Sequence, residues 1–398
     1  MVPNGWDVKA LTDIAQVTSG GTPSRTKPEY WLNGTVPWIR TTEVQNCVLT
    51  AEDTQEYISE LGLKHSSAKI VPAGTVLLAM IGQGKTRGQI ALLKFEATTN
   101  QNCAAIIFKN DQEPSFHFNV LLSRYENIRA MSNSAGQSNL SGALVKAIKV
   151  PVPPLPEQQK IAQILSTWDR AITTTEQLLE SSQQQKKALM QKLLTGKKRL
   201  LDKNGLRFSG EWASYLLEEL EELGWIKLGR GNVISKKDIN NIPGDYPIYS
   251  SSVKNNGLMG KYGEYMFDEE LISWSVDGGG NFFYRPKHKF SVTNVSGYMR
   301  LNAKKLNYQF LAAQLELHHS RLEFDYQSKA HPSVIRKAYN LTVPSLDEQI
   351  KIAAVLSAAD QEITVLQLKI DALKQEKKAL MQQLLTGKRR VKLTKIKK

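Results

Sequence analysis

The chain has 398 residues, with 52 Lys or Arg against 38 Asp or Glu, so its formal net charge is +14. This length suffices for two or three domains, and the basic excess favours nucleic acid as a partner over a basic protein without a polyanionic partner. The chain has only two cysteines, so we expect no disulfide framework. Its six histidines lack metal-ligand spacing, so we expect no metal site. The N-terminus lacks signal-peptide features and no apolar run is long enough to span a bilayer, so we expect a cytoplasmic protein without membrane contact.

The first 150 residues predict a mixed α/β region in which strands dominate. Short apolar runs at 75–81, 90–95 and 104–108 predict buried strands, separated by clusters of Gly, Pro, Asn and Ser. One amphipathic segment, 116–131, predicts a single helix.

A long helical segment then occurs twice in the chain. Residues 157–199 read EQQKIAQILSTWD and, further on, KKALMQKLLTGKKR, whereas residues 348–390 read EQIKIAAVLSAAD and KKALMQQLLTGKRR. The two copies align without a gap at an offset of 191. Pro156 suits a first helical position, and Ser345 with Glu348 has the spacing of a capping box, so both copies start a helix at the same place.

Each copy carries a heptad pattern that predicts a long partner helix. About forty residues at 1.5 Å each give a rod of roughly 60 Å, which ends at a Thr-Gly pair followed by basic residues. The first seam is partly polar, so pairing with the second copy is the natural way to stabilise it. The residues predicted to pair the helices are Ile161, Leu165, Trp168, Ile172, Leu179, Leu189, Leu193, Ile352, Leu356, Ile363, Leu366, Ile370, Leu373, Leu380 and Leu384.

The second globular region starts like the first and then diverges. WASYLLEELEEL at 212–223 has the pattern of WDVKALTDIAQV at 6–17, and each precedes a glycine-rich turn, at 229–235 and 20–25. We therefore predict an α+β fold: two mixed α/β regions joined by two long antiparallel coiled-coil helices with pseudo-twofold symmetry. The predicted divisions are a globular region 1–150, a helical spacer 151–200, a globular region 201–343, a helical spacer 344–390 and a basic tail 391–398.

This architecture suits the reading of two separated and different DNA half-sites. The doubled helix motif resembles that of the specificity subunits of type I restriction–modification enzymes. The Gly-Thr-Pro-Ser turn at 21–24, the TVLLAMIGQGKT segment at 75–86 and Gly-Gln-Ser at 136–138 add to a resemblance that covers essentially the whole chain. The doubled helix motif is specific to that family, whereas each loop motif alone is weak.

The resemblance implies a non-catalytic subunit whose two globular regions are target-recognition domains for double-stranded DNA. Its helices would set the spacing and bind two modification (methyltransferase) subunits, and restriction (translocase–nuclease) subunits would join them. It implies no cofactor in this chain, with S-adenosylmethionine, ATP and Mg on the partner subunits. The conserved-looking helix ends, KKALMQ-LLTGK, are predicted to recruit those subunits. The alternative is a coiled-coil protein-interaction scaffold without sequence-specific DNA binding.

Two glycine-rich stretches imitate catalytic motifs. Residues 79–86 (AMIGQGKT) fit a relaxed phosphate loop, but the following residues predict a strand rather than the helix that would receive phosphates. We expect a basic hairpin loop instead, and a tight turn at 277–281 (DGGGN). We assign no catalytic residue.

Candidate DNA contacts are loop residues whose side chains can pair with base edges or phosphates. In the first region they are Arg25, Lys27, Arg40, Gln83, Lys85, Arg87, Asn100, Gln101, Gln137 and Asn139. In the second region they are Arg230, Asn232, Lys236, Lys237, Lys254, Asn255, Asn256, Asn281, Arg285, Asn294, Lys329 and His331. The aromatics Trp38, Tyr249 and Tyr284 lie near these loops in the sequence and could stack on bases or fill a groove.

Overall fold

The structure is a computed structural model that describes residues 2–82, 84–134, 139–277, 281–322 and 330–393. The candidate contacts Gln83, Gln137 and Lys329 lie outside the described residues, as does the centre of the DGGGN turn. The chain divides into two compact units, which we call unit 1 (1–175 with 369–398) and unit 2 (176–368). The predicted functional divisions at 150, 200, 343 and 390 stay predictions.

Unit 1 begins with a mixed α/β region. Its elements are β1 (Asp7–Ala10), α1 (Leu11–Ile14), β2 (Ala15–Ser19), β3 (Val36–Ile39), β4 (Cys47–Leu49), β5 (Glu56–Ile58), α2 (Glu60–Lys64), β6 (Val76–Ala79), β7 (Ile90–Leu93), β8 (Thr98–Thr99), β9 (Cys103–Phe108), α3 (Pro114–Ser123), α4 (Tyr125–Ser134), α5 (Gly142–Lys146), β10 (Lys149–Val152) and the start of α6 (Leu155–Leu193). Short 3-10 turns span Pro28–Tyr30 and Ala51–Asp53. Within the described residues, the sheets have the strand orders β2-β9-β6-β7-β4, β5-β3-β8 and β1-β10.

The central sheet of unit 1 is buried on both faces. Val76 and Leu78 point into one apolar core, whereas Leu77 and Ala79 point into another, as the two-residue period of a strand requires. This explains why the strand reads as a continuous apolar run rather than an alternating one.

The helix predicted over 116–131 is wrong as a single element. The structure has α3 and α4, with Arg124 between them at φ −111° and ψ 13°. The Arg124 guanidinium donates a 2.5 Å hydrogen bond to the Lys149 carbonyl, and its burial lowers its pKa. The amphipathic pattern continues across the break because both helices cover the same core.

Unit 2 has the same outline around a different sheet. Its elements are the end of α6, β11 (Ala213–Leu216), α7 (Leu217–Glu222), β12 (Ile226–Arg230), α8 (Lys236–Asn241), β13 (Tyr246–Tyr249), a 3-10 turn (Lys254–Gly257), β14 (Leu258–Tyr262), β15 (Phe267–Ser275), β16 (Phe282–Val292), β17 (Ser296–Leu301), α9 (Tyr308–His319), α10 (Pro332–Ala338), β18 (Asn340–Val343) and the start of α11 (Leu346–Leu384). Among the described residues its main sheet has the order β12-β17-β15-β16-β13-β14.

The first and last strands of the two globular regions pair in the same way. β1 pairs antiparallel with β10 in unit 1, and β11 pairs antiparallel with β18 in unit 2. The main sheets between these pairs differ in strand order, as the divergence of the two sequences implies. The fold is therefore α+β with two mixed regions and two long helices, as predicted.

The two long helices pack antiparallel within each unit. In unit 1, Asp169 forms an ion pair with Lys377, and Glu157 forms one with Arg390 just beyond the end of α11. Residue numbers therefore rise along α6 as they fall along α11. In unit 2, Lys186 pairs with Asp360 and Arg199 with Glu348 in the same sense.

Both of these helix ion pairs of unit 1 have a counterpart in unit 2, in which the acidic residue lies 191 positions later and the basic residue 191 positions earlier in the chain. The Glu348 carboxylate, which the sequence placed in a capping box, binds the Arg199 guanidinium at 2.5 and 2.6 Å. Gly196 and Gly387 follow the helices with φ of +68° and +71°, the left-handed conformation that glycine adopts readily. Much of the repeated helix-end motif is thus used for pairing the two helices.

Residues at the predicted seam are less exposed than their neighbours. All of them are buried or half-buried, and the buried ones other than Ile370 lie towards the helix ends, where the globular regions add contacts. Ile161 and Leu165 share a core with Leu384 in unit 1, and Leu193 shares one with Ile352 in unit 2. In the part of the chain that the structure describes, no helix is long and apolar enough to cross a membrane.

Candidate nucleic-acid interface

In unit 1, the loops that carry the candidate contacts meet at one end of the strands of the central sheet, which we call the loop edge of that sheet. The Gly21 N–H donates to the Thr99 carbonyl at 2.8 Å, and the Met80 N–H donates to the Asn102 carbonyl at 2.9 Å. The Leu140 N–H adds a 2.8 Å bond to the Met80 carbonyl. Candidates from four separate stretches of sequence therefore form one surface.

Glycines permit this close approach in both units. A Cβ on Gly20 would lie 1.9 Å from the Thr99 carbonyl oxygen, and one on Gly231 would lie 2.0 Å from the Val292 carbonyl oxygen. No other residue fits there without displacing backbone. The glycine-rich turns recognised in the sequence thus hold equivalent loops against the sheet edge.

Five candidates of unit 1 are exposed in the described residues: Arg25, Lys27, Lys85, Gln101 and Asn139. The Lys27 ammonium donates a 3.1 Å hydrogen bond to the Tyr30 hydroxyl, which raises the pKa of Lys27. The Gln101 side-chain oxygen accepts a hydrogen bond from the Thr22 hydroxyl. The Lys85 carbonyl accepts one from Tyr125 at 2.5 Å, which anchors the loop and leaves the lysine side chain exposed.

Arg25 and Arg40 belong to a charged network on the same side. Arg25 pairs with Glu56 at 2.7 Å, and its guanidinium carbon lies 3.6 Å from the centre of the Trp31 ring. Arg40 pairs with Glu56 at 2.7 Å and with Glu43 at 2.9 Å, and the hydrogen bond to Glu43 raises its pKa. The Arg25 side chain is 53% exposed, whereas the Arg40 side chain is 35% exposed and pairs with two carboxylates.

The other candidates of unit 1 are more enclosed. Asn100 is 8% exposed, and its side-chain oxygen accepts the Asn102 N–H at 3.1 Å, so it shapes the turn that presents Gln101. Arg87 is half-buried. Trp38 is 3% exposed and donates its indole N–H to the Gly21 carbonyl at 2.9 Å, so it supports the glycine-rich turn from below and is not free to stack on bases.

The loops of unit 2 also meet at one edge of its main sheet. The Thr293 N–H donates to the Tyr249 carbonyl at 2.9 Å, and the Asn232 N–H donates to the Val292 carbonyl at 3.0 Å. The Arg230 guanidinium adds a 2.5 Å bond to the Asn294 carbonyl. The exposed candidates there are Arg230, Asn232, Lys236, Lys237, Lys254, Asn255, Asn256, Asn294 and His331, whereas Asn281 is half-buried.

Arg285 lies beneath this surface rather than on it. The residue is 4% exposed, and burial lowers its pKa to about 10, so it keeps its charge at neutral pH. It donates to the Ser273 hydroxyl at 2.8 Å and to the Asn256 carbonyl at 2.6 Å, and its guanidinium carbon lies 3.7 Å from the centre of the Tyr249 ring. The Tyr284 hydroxyl donates to Glu270 at 2.7 Å, so its polar end has a partner within the sheet.

One basic and aromatic cluster of unit 2 was not predicted from the sequence. The Lys289 ammonium lies 4.6 Å from the centre of the Tyr265 ring and 5.6 Å from that of Tyr246. Lysine interleaved with tyrosine in 246–289 was the available signal. These side chains add a second basic group to unit 2.

The imitation phosphate loop has the wrong surroundings for a nucleotide. Gly84, Lys85 and Thr86 lie between β6 and β7, and no helix follows them within the described residues 84–93. No group of three or more His, Cys, Asp or Glu residues in the described ranges could hold a metal ion. The geometry gives a basic loop surface on a strand scaffold.

A family model described as the type I restriction modification DNA specificity domain matches residues 3–181 and 210–375. The chain therefore belongs to this family. The type I restriction enzyme MjaIX specificity subunit of Methanocaldococcus jannaschii is 33% identical over 174 residues, which are 43% of this chain and 39% of that protein. The EcoR124I/EcoR124II specificity subunit of Escherichia coli is 31% identical over 166 residues, 40% of each chain.

These matches span about 40% of the length of the curated relatives. The crystal structure of a type I restriction–modification S subunit from M. genitalium covers 99% of both chains with a TM-score of 0.64 at 16% identity. At that identity the likeness concerns the fold, and the fold extends over the whole chain.

Proposed function

We propose that this chain is the non-catalytic specificity subunit of a type I restriction–modification complex. Each globular region reads one half of an asymmetric, bipartite target in double-stranded DNA. The observation that carries this proposal is the reuse of one helix pairing in two units whose sheet-edge loops differ. Asp169–Lys377 and Lys186–Asp360 are the same contact made twice, while the two main sheets have different strand orders.

Charge supports DNA as the ligand. The net charge is +14, and exposed Lys, Arg, Asn and Gln side chains gather on the loop edge of each sheet. Lysine and arginine suit phosphates, and the amides suit adenine edges in the major groove. A protein-interaction scaffold does not need two such surfaces.

The paired helices act in this proposal as the spacer and as the dock for two adenine methyltransferase subunits. Leu178, Val365 and Leu368 are 52%, 62% and 64% exposed on the helices of unit 2, although each is a large apolar side chain. Exposed apolar residues on a paired helix favour a further protein surface over solvent. Restriction subunits join the same complex, and S-adenosylmethionine, ATP and Mg belong to the partner subunits.

Methylation mapping tests the proposal. Cells that carry the gene and its modification partner should show one asymmetric split adenine motif, which disappears when the gene is removed. Replacing residues 1–150 with another member's region should change one half-site only. An unchanged methylation pattern with an intact modification subunit contradicts the proposal, whereas weak DNA affinity without salt dependence favours the scaffold.

A further inference from the structure

The loop between β13 and β14 has an unusual backbone conformation, and it lies on the edge of unit 2 that we propose to face DNA. Asn255 and Asn256 both adopt left-handed conformations, with φ of +49° and +52°, and Gly257 follows at +81°. Asparagine tolerates this region better than most residues, which accounts for an Asn-Asn-Gly sequence here. Both asparagine side chains are exposed.

Two hydrogen bonds hold this loop in place. The Ser250 N–H donates to the Gly257 carbonyl at 2.8 Å, and the Arg285 guanidinium donates to the Asn256 carbonyl at 2.6 Å. A Cβ on Gly257 would lie 2.8 Å from the Ser250 carbonyl oxygen and 3.3 Å from the Arg285 guanidinium, so this residue has little room for a side chain. The loop is therefore held at its C-terminal half.

Arg285 is itself held from the other side. Ser273 on β15 accepts its Nε–H, and Tyr249 at the end of β13 presents its ring face to the guanidinium. These contacts connect three strands of the sheet to one loop carbonyl. A buried cation with neutral partners is costly to maintain, so it needs a role that a hydrophobic residue could not fill.

We propose that Asn255 and Asn256 are the adenine-reading residues of the second half-site, and that Arg285 is a positioning residue that sets their geometry. A side-chain amide offers one donor and one acceptor, which match N7 and N6 of adenine in the major groove. Arg285 does not touch DNA in this arrangement. Lys254, exposed at the start of the same turn, directly precedes the two asparagines in the chain and suits a neighbouring phosphate.

This inference rests on the proposed function and makes a sharper statement about one loop. Substitution with glycine tests it without straining the backbone, because glycine accepts positive φ freely. Asn255→Gly and Asn256→Gly remove one amide each. Asn256→Asp keeps the backbone preference but leaves acceptors only, which suit the N4 amino group of cytosine.

The experiment measures methylation by the assembled complex on a duplex library with randomised second half-site positions. We expect each glycine variant to lose roughly five- to 150-fold discrimination for adenine at one position of the second half-site. The first half-site should keep its sequence in both variants. We expect Asn256→Asp to shift the preferred base at the affected position from adenine to cytosine.

Arg285→Lys and Arg285→Gln test the positioning role. Both variants should reduce base discrimination at the same position as the asparagine variants, because each loses a guanidinium that binds at two points. The lysine variant should reduce it less, because it keeps one charged donor group. The control Asn204→Gly changes an exposed asparagine of the 202–206 turn in the same unit and should leave both half-sites unchanged.

The outcomes separate the two levels of the proposal. A wild-type complex that reads no bipartite target overturns the proposed function itself. A wild-type bipartite motif that both glycine variants and Asn256→Asp leave intact overturns only the adenine-reading assignment. Glycine variants that relax one position while folded Arg285 variants, checked by thermal melting, do not relax it refute the positioning role.

Discussion

The Arg390 guanidinium binds the Glu157 carboxylate, 233 residues earlier in the chain, through two hydrogen bonds of 2.7 Å. Trp6 donates its indole N–H to the same carboxylate at 3.1 Å. Unit 2 repeats this arrangement, since Arg199 and Trp212 bind Glu348. Each arrangement ties a helix start, a helix end and the first strand region of its unit to one buried carboxylate.

Breaking this arrangement should destabilise unit 1. The Glu157 side chain is 3% exposed, so Arg390→Ala leaves a buried carboxylate with one neutral donor. We expect a loss of about 2 kcal/mol in unfolding free energy, below the value for a fully buried pair because Arg390 is partly exposed. Urea unfolding followed by fluorescence measures it.

The exposed neighbour Lys388→Ala is the matched control and should have little effect. The double variant Glu157→Gln with Arg390→Ala should lose less than the two single losses added together. Strictly additive losses would show that the two side chains act independently.

Acid should weaken unit 1 through a histidine. His117 is completely buried against Phe108, and burial lowers its pKa to about 3 from the usual 6.5. Unfolded His117 takes up a proton below about pH 6.5 while the folded form stays neutral, so stability falls as pH drops, by at most about 1.4 kcal/mol per pH unit. Urea midpoints between about pH 7 and pH 5 test this.

His117→Gln should be less stable at neutral pH but should show a flatter pH dependence over the same window. A variant with the wild-type slope would assign the acid sensitivity to other groups.

Lys85 should contribute a phosphate contact without sequence information. Its side chain is exposed on the loop edge of unit 1. In the assembled complex, Lys85→Ala should reduce the slope of log affinity against log salt by about one, and should weaken all DNA sequences alike. A salt titration with target and unrelated duplexes measures both effects.

Lys64→Ala, an exposed lysine on the short helix α2, is the control and should leave the slope unchanged. Altered target choice in Lys85→Ala would instead indicate base reading by this residue.

The length of the helix pair should set the gap between the two DNA half-sites. Adding seven residues to both helices, after Thr175 and after Ile370, keeps the heptad and lengthens each helix by about 10 Å. The gap between half-sites should then grow by about three base pairs, at 3.4 Å each, while their sequences stay the same. Methylation mapping detects the new gap.

The same insertion in the 202–206 turn is the control and should not change the gap. If the double insertion leaves the gap unchanged while the complex still methylates, the helices do not set the spacing.

The sequence by itself determined the repeat, the two helices and the family. A heptad and a repeated motif are local patterns, so they can be recognised without knowledge of the fold. Ile161 and Leu384 could therefore be predicted as seam positions. Strands such as β6 were also readable, because a sheet buried on both faces needs a continuous apolar run. The break at Arg124 was not, since both helices around it cover one core.

Only the tertiary structure decided which polar loop residues face outward. Arg285 and Arg40 have the same side chain as Arg230, yet one is buried, one pairs with two carboxylates and one is exposed. Their partners lie up to 64 residues away, as Arg230 and Asn294 show. A local pattern cannot predict such contacts, because the folding of the sheet brings the partners together.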